Sequence, residues 1–189
     1  MIEFEKTSHT YRLDGKVLPN VSTILNFIFP DKYKNIPAFI LQNKATHGTK
    51  VHSGVQLLEA YQTTLEQVKK WQLGVYVELS IEEYVKIRKK HNFTVLEMEQ
   101  VVYTQDYAGT FDLIIEMEGK RYLCDIKTTA ELDEEYLSWQ LSLYEYAYGK
   151  TDGLYAIWLP KGKKGEFVKI KRKTKKEIEE VLKRFKEEL

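Results

Sequence analysis

The sequence predicts a single α/β or α+β domain, and three observations lead there. The first ninety or so residues carry helix-period apolar patterns. Segments 93–103, 109–117, 121–127 and 154–159 are of strand length and rich in β-branched and aromatic residues. Between the last two lies an apolar, tyrosine-rich stretch with the length of a helix. At 189 residues the chain has the size of one domain. It divides into a mostly helical part with a small β-hairpin, 1–91, and a sheet core with a C-terminal helix, 92–189.

Taken in order, residues 2–18 read as short strands, with Leu13-Asp14-Gly15-Lys16 as a turn between Thr10-Tyr11-Arg12 and Val17-Leu18. Asn20 or Ser22 caps a short helix through Ile24, Leu25 and Ile28 that Pro30 stops. Pro37 opens a longer helix that runs on to Ala60. A further single helix is expected from Thr64 to about Lys90, with Val68, Trp71, Leu73, Val75, Leu79, Tyr84 and Ile87 forming a partly amphipathic pattern. After the strands begins a helix over Asp133 to Tyr148, ended by Gly149. A strand at Phe167 to Ile170 follows, and Thr174 caps a last helix with Ile178, Val181, Leu182 and Phe185 on one stripe.

Composition narrows the function classes. The only cysteine is Cys124, so neither an internal disulfide nor a Cys-rich zinc or iron–sulfur site can be built. The start, MIEFEKTSHT, has no apolar core of the secretory type, and no apolar run approaches the ~20 residues that span a bilayer. A reducing cytoplasm is the expected compartment. The net charge of +1 argues against coating nucleic acid by bulk charge, but leaves room for a local basic strip. Lys161 to Lys176 is such a strip, with Glu166 as its one acid; it reads equally as a solvated turn and edge strand.

The most informative stretch runs from Gly109 to Lys127. With Glu118-Gly119 as a two-residue turn, Met117 faces Lys120, Ile115 faces Tyr122 and Leu113 faces Cys124. On the other side Glu116 meets Arg121, Ile114 meets Leu123, and Asp112 meets Asp125. Facing carboxylates destabilise a sheet unless something positive lies between them. A hard divalent cation such as Mg²⁺ or Mn²⁺ fits that need. Lys127, two residues after Asp125, points to the same face. There its ammonium can hold an attacking water or stabilise charge building on a phosphate.

These residues resemble the PD-(D/E)XK nuclease superfamily, specifically its RecB-like exonuclease branch. The matching order is His52 in Gly48-Thr-Lys-Val-His52, Glu99 on a strand, Gly109-Thr-Phe-Asp112, Asp125-Ile-Lys127-Thr128, then Gln140-Leu-Ser-Leu-Tyr144. The resemblance implies a restriction-endonuclease-like core, a central mixed sheet flanked by helices. It further implies Asp112, Asp125, His52 and the backbone carbonyl of Ile126 as ligands of Mg²⁺ or Mn²⁺, and Lys127 as the catalytic lysine. Gln140 and Tyr144, one helical turn apart, would support the site and the DNA, with Tyr148 extending the stripe. Glu99 corresponds to an acidic residue near the site, Glu97 shares its parity, and either could face outward. Thr128 and Thr129 are candidate phosphate contacts. His9, His47 and His91 read as structural, and Trp139 as a core residue before a base-stacking one. No iron–sulfur cluster and no helicase motif accompany the nuclease residues.

The implied activity is metal-dependent hydrolysis of DNA, by an exonuclease of the stand-alone phage or prophage type acting on single strands or duplex ends. A recombination protein or helicase would be its natural partner. Two other classes remain: a nucleic-acid-binding subunit that does no chemistry, and a metal-dependent phosphodiesterase acting on RNA or nucleotides.

Overall fold

The computed structural model describes residues 1–188. It opens with β1 (Ile2–Glu5), β2 (Thr10–Leu13) and β3 (Lys16–Leu18), an antiparallel three-stranded sheet. Asp14 and Gly15 both take positive φ in the turn between β2 and β3, as the Asp-Gly pair predicts for a tight hairpin. Helix α1 (Val21–Ile28) starts at Asn20, whose side chain accepts the Thr23 N–H at 2.8 Å. Helix α2 (Ala38–Ala60) follows directly on Pro37.

The region expected to form one helix from Thr64 to Lys90 is two, α3 (Leu65–Lys70) and α4 (Val75–His91). The reason is local: Gly74 precedes α4 at φ 99°, a conformation no helix interior accommodates. The capping box of Thr64 and Gln67 fixes only the short first piece. The apolar periodicity spans the break because both pieces pack on the same core.

The main sheet has five strands in the order β4 (Thr94–Tyr103), β5 (Ala108–Met117), β6 (Lys120–Lys127), β7 (Gly153–Trp158) and β8 (Glu166–Ile170). All neighbours are antiparallel except β6 and β7, which run parallel and are joined through α5 (Glu134–Tyr148). Helix α6 (Lys175–Glu187) closes the chain behind the Thr174–Glu177 capping box. The β5–β6 register is the one the turn predicts, from Met117↔Lys120 to Leu113↔Cys124. Glu116 and Arg121 lie opposite, but the Arg121 guanidinium pairs with Glu97 of β4 at 2.6 Å.

Alternation along these strands feeds two cores. Ile114 and Leu123 pack with α1, α5 and α6, whereas Leu113, Ile115, Cys124 and Ile126 pack with α2, α3 and α4. Helices therefore cover both faces of a mixed α/β sheet, the architecture of the restriction-endonuclease-like fold. The N-terminal sheet docks at one end, where Tyr11 donates to or accepts from Thr110 Oγ1 at 2.8 Å and Asn20 bridges to Ala108. Among the described residues, no helix is long and apolar enough to cross a membrane.

Candidate active site

The site is built where β5 and β6 part company. Their ladder stops at Leu113↔Cys124, one pair short of Asp112 and Asp125. Beyond it the Asp112 side chain takes the place of a backbone acceptor: Oδ2 accepts the Ile126 N–H at 2.7 Å. β6 does not fray there, because β7 holds Asp125 against Ala156 and Lys127 against Trp158. A fork opens, with Asp112 on one prong and the Asp125–Lys127 pair on the other.

Helix α2 delivers His52 into the fork. Its Nδ1 lies 3.4 Å from Asp112 Oδ1, and its Nε2 donates to the Ile126 carbonyl at 2.9 Å. β4 contributes Glu99, between the pairs Met98↔Leu113 and Gln100↔Phe111, so directly across from Asp112. Glu99 takes φ 49°, the left-handed region, in a strand whose register against β5 already shifts between Val95 and Glu97. Such a conformation costs a non-glycine residue about 1–3 kcal/mol and persists where the surroundings impose it. Ligand atoms of His52, Glu99 and Asp112 lie within 4.8 Å of one another. One imidazole nitrogen, two carboxylates and the Ile126 carbonyl form a donor set that suits a hard divalent cation.

The charges are strongly interdependent. Lys127 Nζ sits 2.7 Å from Asp125 Oδ2, with the lysine side chain 23% exposed and the aspartate 4%. Burial works against the Lys127 ammonium, yet Asp125 and Asp112 outweigh it and raise its pKa. Burial, with the nearby Asp112 carboxylate, pushes Asp125 above the usual carboxylate range despite Lys127. Asp112 goes the other way: against burial, His52, Lys127 and the Ile126 N–H hold it below that range. His52 would be lowered by burial, but Asp112 lifts it to about 9. The imidazolium and the ammonium thus balance the two acids. Taking up a cation through His52 requires the ring to release its proton.

Around this cluster the sequence-predicted residues divide. Gln140 lies in the cleft beside Lys127, its Nε2 3.4 Å from the Tyr144 hydroxyl and its buried Oε1 without a hydrogen-bond partner. Tyr144 is buried near both aspartates, and burial raises its pKa. Thr128 faces α2 at Gly48. Tyr148 is not brought to the cluster; its hydroxyl donates to Glu97 at 2.6 Å, beside Arg121. Trp139 is buried in the core. Sequence reasoning missed Gln56, which lies beside Glu99 and lowers its pKa against the burial that raises it, one turn beyond His52 on α2, a spacing that could have revealed it. It also missed Tyr33 and Lys44, which flank Lys127 in the cleft and carry no motif.

With this geometry in place, the family comparison is decisive: the model of the PD-(D/E)XK nuclease superfamily matches residues 41–189. The chain belongs to the PD-(D/E)XK nuclease superfamily. No curated protein matches the sequence. Among solved structures, the one titled "Crystal structure of SSO0001" is similar with 12% identity and a TM-score of 0.39, covering 88% of this chain and 83% of that one. In this PD-(D/E)XK protein the family match takes in the whole fork, from His52 to Lys127, and leaves out β1–β3 and α1.

The glycine before Asp112 in this superfamily member has a physical reason. A Cβ on Gly109 would stand 2.6 Å from Tyr144 Cε1 and 2.9 Å from Val21 Cγ2. A stiff ring between α5 and the strand has nowhere to go. Gly109→Ala is expected to cost about 1–3 kcal/mol by overpacking, read as a lowered Tm in thermal unfolding. An unchanged Tm would show that Tyr144 is not wedged as described.

Proposed function

We propose that the chain is a metal-dependent deoxyribonuclease that hydrolyses phosphodiester bonds, an exonuclease of the RecB-like kind serving recombination, repair or phage DNA processing. The observation that carries this reading is the fork, where Asp112, Asp125, Lys127 and His52 converge at the end of two parting strands. A pure binding module has no use for two buried carboxylates in one cleft, since each costs desolvation.

The roles follow from the chemistry of each group. Asp112, Glu99, His52 and the Ile126 carbonyl would hold Mg²⁺ or Mn²⁺, with Asp125 completing the acidic side. Such an ion polarises a phosphate and lowers the pKa of bound water. Lys127, kept protonated by its aspartates, stabilises negative charge growing on the phosphate or orients the water. Gln140, beside Lys127 in the cleft, would help position the substrate strand. Tyr144 braces Gln140 from below.

The test is cleavage of linear duplex, circular duplex, single-stranded DNA and RNA, with Mg²⁺ or Mn²⁺ against a chelator. Expected is metal-dependent loss of DNA with free ends and survival of the circle. Cleavage of RNA alone would move the assignment to an RNA phosphodiesterase. Binding without cleavage of any substrate would leave a catalytically idle subunit.

A further inference from the structure

Lys161 and Lys163 stand apart from the rest of their basic strip. Further along, Arg172 pairs with Glu145, Lys173 with Glu135, Lys175 with Glu179 and Lys176 with Glu180. Arg172 and Lys173 lie between β8 and α6, and Lys175 and Lys176 on the first turn of α6, each with its charge already matched by an acid. Lys161 and Lys163, in the turn after β7, instead line a cleft of about 670 Å³ that ends at Lys127. Among the described residues, neither has a carboxylate within ion-pair distance, and neither does Lys44 on the opposite wall.

The cleft is acid-free. Its ionisable lining consists of Lys44, Lys127, Lys161, Lys163, His47, His52 and Tyr33, without one Asp or Glu. In a chain with 29 basic and 28 acidic residues, so one-sided a wall is not what composition alone would produce. The neighbouring lobe on the far side of Tyr33, by contrast, carries Glu131 and Asp133. His47 Nε2 is buried in this region with no partner. Burial first, and the nearby Lys161 and Lys50 after it, lower the His47 pKa. Gly48 lets α2 approach β6 so closely that an added Cβ would lie 3.3 Å from Thr128 Oγ1. The Thr128 hydroxyl is thereby brought to the same wall.

We propose that this cleft is a second phosphate site, in which Lys161, Lys163 and Lys44 grip a phosphate of the substrate strand neighbouring the one held at Lys127. The inference rests on the nuclease reading and deepens it. It assigns the strand's path on one side of the scissile bond to the α2 side of Lys127. The phosphate can come from a strand terminus or from the internal backbone, since the chemistry of recognition is shared. Tyr76, whose ring lies 4.6 Å from Lys161 Nζ, flanks the outer end of that path.

The test measures binding, so it stands whether or not any substrate is cut. Asp112→Asn serves as the parent, in chelator, with a ten-nucleotide oligothymidylate labelled on an internal base. The probe carries a 5′-phosphate, a 3′-phosphate or neither, and affinity is followed by fluorescence anisotropy across salt concentrations. Adding Lys161→Ala and Lys163→Ala is expected to weaken binding about tenfold and to flatten the log–log salt slope by about 1.4, two contacts at about 0.7 each. Lys175→Ala with Lys176→Ala removes the same charge from exposed α6 positions and is expected to leave the slope unchanged. A penalty confined to one phosphorylated probe identifies a terminal phosphate; an equal penalty on all three identifies an internal one. An unchanged slope in the Lys161/Lys163 variant, an equal change in the α6 control, or no binding by the parent overturns the proposal.

Discussion

Replacing Lys127 with alanine is expected to slow metal-dependent DNA cleavage by roughly 10²- to 10³-fold, the usual loss when one preorganised charge donor is removed from a hydrolytic site. The ammonium lies in a cleft where burial strengthens its field, and two carboxylates keep it protonated across the neutral range. Its loss strands Asp125, which is buried and already inclined to hold a proton, so that group neutralises instead of forcing the chain open. Circular dichroism of the variant should therefore stay close to that of the parent, while single-turnover cleavage collapses. Cleavage at the parental rate would remove Lys127 from the chemistry altogether.

The largest purely structural effect is expected at Arg172. Glu145, on the buried face of α5, accepts from Thr151 N at 2.8 Å and Thr151 Oγ1 at 2.6 Å. It also accepts from Arg172 Nε at 2.5 Å and Nη2 at 2.8 Å, and the same guanidinium donates to the Thr151 carbonyl. This network ties the end of α5 to the start of β7 and to the segment leading into α6. Breaking a buried ion pair on one side typically costs 3–5 kcal/mol, because a charge is left behind without a partner. The Arg172 side chain is 37% exposed, so water replaces part of what is lost and roughly 3 kcal/mol is expected for Arg172→Ala. For a chain of this size that is a Tm lower by roughly 6–12 °C. Calorimetry should show it without any change in metal affinity; an unchanged Tm would mean the network is dispensable.

How much of this was legible in the sequence depends on whether a local rule governs each feature. The hairpin was legible because Glu118-Gly119 permits two positive φ values in succession, and apolar pairs on both faces then fix the register. The face shared by Asp125 and Lys127 follows from strand parity and holds. The fork was not legible. Which ladder bond gives way to the Asp112 carboxylate depends on β7 gripping β6 and on α2 bringing His52 across 74 positions of sequence. The family resemblance put Glu99 near the site, with Glu97 sharing its parity, but nothing local announces that Glu99 turns left-handed there.

Tyr148 shows the limit of reading a helix face as a single site. It continues the Gln140–Tyr144 stripe, yet lies eight residues beyond Gln140, about 12 Å along the axis. At that distance it reaches Glu97 and Arg121 at the other end of the sheet. The basic strip fails as a unit for a similar reason: charges close in sequence separate once a strand and a helix carry them apart. The break at Gly74 was visible as a residue but was outweighed by an apolar pattern that runs across it.

The central claim is that Asp112, with His52, Glu99 and the Ile126 carbonyl, forms a site for one divalent cation or more. Mn²⁺ titration followed by electron paramagnetic resonance tests it most directly. Saturable binding by the wild-type chain is expected, with its loss in Asp112→Asn. Absence of saturable binding, or binding that survives the Asp112→Asn change undiminished, would contradict it.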